Sequence, residues 1–216
     1  MTQGKQETRE EEVARIRSYL VSQAIRRTPE QLVQALREAH HQFLAATAAI
    51  PDNAFRTTPK EGEWSAADVL AHVRAIAALD ERSICGVLER GEQPPNVADV
   101  LEHTPTNATR EQMLAEIEAL RKQLIAVVLQ ADPQAHLDIV WGHNEFGKMN
   151  WREWLLFARV HTLDHARQLQ AISASSAQSP QPKGRETYEA GYTFWRHYVY
   201  LLERGLAVSD CLCGRS

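Results

Sequence analysis

The run NWREWLLFARVHTLDHARQLQAI, residues 150–172, decides the fold. It opens as helices open: Asn150 is a good N-cap, and Glu153, three residues on, can bond back to it. Trp154, Ala158, His161, His165, Leu169 and Ile172 then recur three or four apart, so they share one helical face. That face is apolar except for two histidines. Four residues advance about 400°, so His161 and His165 leave the same side of the helix one turn apart. The spacing lets two imidazoles grip one ion.

Working outward, the helical period dominates the rest of the chain. Thr109-Arg110-Glu111-Gln112 is a capping box, and Met113, Ile117, Leu120, Leu124 and Val127 behind it form a bundle seam. Ser65, with Asp68 in the first turn, caps a helix whose face carries Val69, His72, Val73, Ile76 and Leu79, and which stops before Gly91. Thr28-Pro29-Glu30-Gln31 starts another, with Leu32, Leu36, Phe43 and Ile50 inward. Before it, Glu10 to Arg27 reads as an added helix with acids at its start and arginines at its end, as the helix dipole favours. Residues 53–64 read as a loop. Gln134 to Met149 is irregular, with an extended piece expected at Leu137–Trp141. Ser173 to Gly184 reads as a linker, and a last helix is expected from Arg185 to Arg204, with Gly205 as its stop. These six segments, with no alternation of strand and helix, predict an all-α chain: an antiparallel helix bundle, with extra N-terminal and C-terminal helices. The expected division is an extension over 1–27, the bundle domain over 28–205 and a tail over 206–216.

Composition sets the outer limits. The 216 residues carry a formal net charge of -4 with 44% apolar and 24% charged residues, an ordinary balance for a globular domain. Basic residues are scattered among acidic ones, which argues against a nucleic-acid surface. No stretch approaches the roughly 18 apolar residues of a membrane span, and the polar, acidic N-terminus lacks a signal peptide's features. A cytoplasmic location is the expectation. Cys85, Cys211 and Cys213 do not make a disulfide framework.

His72 completes a constellation with His161 and His165, because it too lies on an apolar stripe. A lone histidine on such a face is usually a core residue, and pairs four apart also occur on solvated faces. Three inward histidines in one bundle are different: unpaired they are costly, and a metal removes the cost. The zincin motif does not apply, since Thr162 stands where its glutamate would supply the base. Three imidazoles leave a coordination position open, as catalytic sites do. The ion would then activate either a thiol or a water. Asp68 and Gln168 are candidates to orient the ligand rings from behind, although Asp68 suits a helix cap and Gln168 a surface amide. His40 and His143 are candidate additional site residues. Trp64, Trp141, Trp151 and Trp154 suit either a pocket wall or plain core packing.

Trp64-Ser65, then Val69-Leu70-Ala71-His72, then Asn150-Trp151-Arg152-Glu153-Trp154 leading to His161, His165 and Gln168, resembles the DinB/YfiT-like superfamily from about Thr28 to Ile172. The resemblance implies a four-helix bundle, a divalent metal (zinc or nickel) on His72, His161 and His165, and a homodimer. It also implies a transferase or isomerase acting on a small-molecule substrate with a low-molecular-weight thiol such as bacillithiol, mycothiol or glutathione. A metal-dependent hydrolase and a non-enzymatic, metal- or ligand-binding stress-response bundle remain alternatives.

Overall fold

Each helix begins where a side chain can replace a missing backbone partner. In the computed structural model, which describes residues 8–97 and 106–177, there are five: α1 (Arg9–Arg26), α2 (Pro29–Ala48), α3 (Ala66–Arg90), α4 (Arg110–Gln130) and α5 (Trp151–Ala177). Thr8, Thr28, Ser65 and Thr109 cap the first four, each in a reciprocal box with Glu11, Gln31, Asp68 and Gln112. At α5, Asn150 Oδ1 accepts from the Arg152 and Glu153 amides, while Glu153 Oε2 accepts from the Asn150 amide. Gly91 ends α3 at φ +63°, a conformation that costs glycine little. Between α4 and α5 the chain forms a hairpin, β1 (Trp141–His143) against β2 (Gly147–Met149), antiparallel.

α5 is the axis of the fold. Its first two turns are buried on every side, from Trp151 to Ala158, because α2, α3 and α1 all pack along it. α4 lies along α3 and, less extensively, along α2. Contacts at the helix ends fix the directions. The Arg152 guanidinium on α5 donates to the carbonyls of Ala24 and Arg27, beside the start of α2. At the other end Ser173 Oγ donates to the Ala49 carbonyl. So α2 and α5 run parallel. The pairs Arg74–Glu116 and Asp80–Arg121 advance together along α3 and α4, so these two are parallel as well. Arg110 reaches the Ile50 carbonyl, which sets α4 antiparallel to α2. The bundle thus has two helices up and two down, with antiparallel walls at α3–α5 and α2–α4. Consecutive helices α2 and α3, and likewise α4 and α5, stand diagonally rather than side by side.

The core is two apolar clusters. One joins Leu32, Leu36, Ile84, Leu124, Val128, Trp151 and Trp154 with Ile16 and Leu20 of α1. The other joins Phe43, Ile50, Leu70, Val73, Met113, Ile117, Leu169 and Ile172. Between them the helices carry polar side chains: His40 on α2, Asp80 on α3, Arg121 on α4 and His165 on α5.

Three local expectations need correction. The seam of α4 is Met113, Ile117, Arg121, Leu124 and Val128; Leu120 and Val127 are only half-buried, because an arginine takes the inward position between two apolar turns. α5 continues through Ala177, five residues into the expected linker, where Ser175 and Ser176 satisfy their hydroxyls on the Ile172 carbonyl. The extended piece begins at Trp141, where it was expected to end. The expected helix at 185–204, the tail and its cysteines lie outside the described residues.

Candidate metal centre

Three helical turns bring the histidines together. His161 and His165 sit one turn apart on α5, and His72, in the second turn of antiparallel α3, meets them from across the wall. His161 Nε2 lies 3.0 Å from His72 Nε2 and 3.1 Å from His165 Nε2. The three donor atoms all fall within 4.8 Å of one another. His165 is buried, and His72 and His161 are half-buried.

Proton accounting shows what the cluster is suited to hold. His165 Nδ1 is 2.9 Å from Gln168 Oε1. An amide oxygen only accepts, so the His165 proton belongs on Nδ1 and its Nε2 faces the cluster as a bare lone pair. His161 Nε2 carries at most one proton. It can form one good hydrogen bond, and its other close contact has no proton to serve it. His72 Nδ1 and His161 Nδ1 are buried without a partner. Adding protons is disfavoured: burial pushes His72 down to about 4, and burial together with His72 pushes His165 down to about 3. Burial, His165, His72, Arg121 and His143 hold His161 well below its usual value. The arrangement is therefore three neutral rings whose donor atoms lie within 4.8 Å of one another, the two close pairs at roughly the separation that cis ligands of one ion adopt, about 3 Å for metal–nitrogen bonds near 2.0–2.1 Å. A cation fits this donor set; a network of hydrogen bonds does not.

Aromatic rings flank the cluster. Trp64 stacks parallel to His165 at 6.3 Å and lies 5.0 Å from His72. On the other side Phe157 is 6.1 Å from His161 and leads to His143, 4.9 Å further.

The sequence matches the family model described as the DinB superfamily over residues 35–169. The chain belongs to the DinB superfamily. Two solved structures agree with that fold. One is TT2238, a four-helix bundle protein, 23% identical with TM-score 0.52, covering 67% of this chain and 99% of that one. The other is YfiT from Bacillus subtilis, 14% identical with TM-score 0.55, covering 83% of this chain and 95% of that one. The latter was described as "a probable metal-dependent hydrolase with an unusual four-helix bundle topology". No curated protein sequence matches the chain.

Within this DinB superfamily bundle the remaining candidates separate. Gln168 faces His165, as described. Asp68 Oδ2 accepts from the Ser65 amide and hydroxyl, so that oxygen serves the α3 cap. His40 is half-buried on α2, and neither of its ring nitrogens has a partner. His143 sits on β1 among Phe146, Trp154 and Phe157. Trp141 stacks on Trp154 at 5.3 Å, and Trp151 donates to the Ala135 carbonyl, so these three build the apolar end. The buried Asp80–Arg121 pair was not anticipated. Its only signal is spacing, since Arg121 falls four after Ile117 and three before Leu124. Cys85 is a buried free thiol, pushed up to about 12 by burial and the nearby Glu81 and Glu89, which makes it inert. No helix among the described residues is long and apolar enough to cross a membrane.

Proposed function

We propose that the chain is a metal-dependent enzyme that binds one divalent ion, zinc or nickel, on His72, His161 and His165, and uses it for thiol-dependent group transfer to a small electrophile. The convergence of three neutral Nε2 atoms carries this reading. An all-imidazole set suits zinc and nickel. It brings no negative charge, so a bound ion keeps its full Lewis acidity and favours the thiolate of an incoming thiol. Gln168 would hold His165 in the tautomer that ligates. Trp64 and Phe157 would narrow the approach from either side.

Hydrolysis is a second reading, favoured by the description of YfiT as a probable metal-dependent hydrolase. A non-enzymatic metal-binding bundle is the third. Metal content measured on untagged protein tests the site. Near-stoichiometric metal in the parent and in Lys148→Ala, lost in His161→Ala, supports it. No metal after incubation with zinc and nickel sinks it. Calorimetric titration with glutathione and S-methylglutathione then tests the thiol: heat with the first alone favours transfer, whereas metal-dependent turnover of p-nitrophenyl acetate without any thiol favours hydrolysis. The homodimer expected of such an enzyme is checked by sedimentation equilibrium.

A further inference from the structure

Two arginines are buried in the described residues, and they are treated in opposite ways. Arg152, 7% exposed, spends its whole guanidinium on backbone: Nε, Nη1 and Nη2 donate to the carbonyls of Ala24, Pro133 and Arg27. Arg121 is more deeply buried, at 3% exposed. Its Nη1 donates to Asp80 Oδ2 at 2.9 Å, but Nε and Nη2 have no partner. These two are the side-on edge of the guanidinium, a pair of parallel N–H groups that matches the two oxygens of a carboxylate. His40 adds two unpartnered ring nitrogens close by, and the Arg121 charge reaches both His40 and His161. Unsatisfied buried donors are rare in native structures.

Charge points the same way. Asp80 and Arg121 cancel, and three neutral imidazoles leave a divalent ion uncompensated. A low-dielectric layer with that surplus favours an anion.

We propose that the Nε–Nη2 edge of Arg121, assisted by His40, binds the carboxylate of a small anionic substrate within the same layer as the histidine cluster. The inference deepens the function proposed above and rests on it for the chemistry and for the added attraction of the ion, but not for the guanidinium edge that forms the binding site.

The test is a calorimetric titration of the full chain with sodium acetate, against acetamide and sodium chloride at fixed ionic strength. It is run as purified and again after chelation. Arg121→Lys keeps a positive charge beside Asp80 but loses the planar fork. Acetate binding that exceeds chloride and acetamide, survives chelation and weakens at least tenfold in Arg121→Lys is the expected result. Binding that disappears with the metal and is unchanged in Arg121→Lys places the anion on the metal and overturns the assignment, leaving the metal site intact. Acetate no better than chloride overturns it outright, ordered water then being the partner of Arg121. Arg121-dependent binding in protein that never takes up metal keeps the anion site and removes the metal reading. His40→Gln, expected to weaken acetate several-fold, separates the assisting ring from the fork.

Discussion

The middle of this core holds two polar clusters that solve the problem of burial differently. Asp80 and Arg121 compensate each other by opposite charge, one pair bridging α3 and α4. His72, His161 and His165 have no counter-charge and instead stay neutral, their lone pairs turned on one another. The first cluster is nearly self-sufficient; the second has lone pairs that a cation could satisfy. A buried charge therefore does not by itself mark where chemistry happens. Unmatched hydrogen-bonding capacity is the better sign, and the Nε–Nη2 edge of Arg121 shows that even the ion pair retains some.

Breaking the ion pair should have the largest effect. Arg121→Ala leaves the Asp80 carboxyl alone in a site where burial already raises it; a loss of about 3–5 kcal/mol is expected in urea unfolding. Replacing both residues by leucine should recover most of that, and an equal loss in the double variant would show that the two do not compensate each other.

The histidine cluster should respond to metal instead. Zinc at 100 times its dissociation constant is expected to stabilise the parent by about 2.7 kcal/mol and His161→Ala not at all. Equal stabilisation of both by the same denaturation assay would move the site elsewhere. Gln168→Leu removes the acceptor that holds His165 and should weaken metal binding by about 10–100-fold, read by competition with a chromogenic chelator. Unchanged affinity would mean that packing alone orients the ring.

The smallest effect concerns pH. Burial, with Arg121 second, holds His40 at about 4 against an ordinary 6.5. Between those values the unfolded chain binds the extra proton, so stability present above pH 6.5 is lost as pH falls toward 4. Urea midpoints of His40→Gln should decline less steeply than the parent's over that window; identical slopes would show that His40 is not neutral in the fold.

Much of this was readable before any coordinates, because it is local. Four of the five described helix starts follow from a capping side chain and its partner three residues on, and α1 from the acids in its first turn, its Thr8–Glu11 box having gone unread. The spacing of His161 and His165 is a property of one helix, and His72 lies on a legible stripe. What stayed hidden is what depends on neighbours. The inward place of Arg121 went unread since a charge normally seeks water, and only its position between Ile117 and Leu124 hinted at it. The serines after Ile172 read as linker because their hydroxyls compete with backbone bonds, yet here Ser175 and Ser176 bond within the helix and Ser173 bonds across to the Ala49 carbonyl. Nor does any motif announce that α2 and α3 stand diagonally, since that choice is made by the packing of α5 between them.

That central position of α5 has a consequence for synthesis. The helices that depend on it precede it in the chain, so a growing polypeptide can complete α1 to α4 and still lack the strand of buried residues from Trp151 to Ile172 that both apolar clusters require. Such a nascent chain would display Leu32, Leu36, Phe43, Leu70 and Val73 to its surroundings until α5 clears the ribosome. Chaperones that recognise exposed aliphatic surface should therefore engage it during translation and release it abruptly once α5 has emerged, in a single collapse rather than helix by helix.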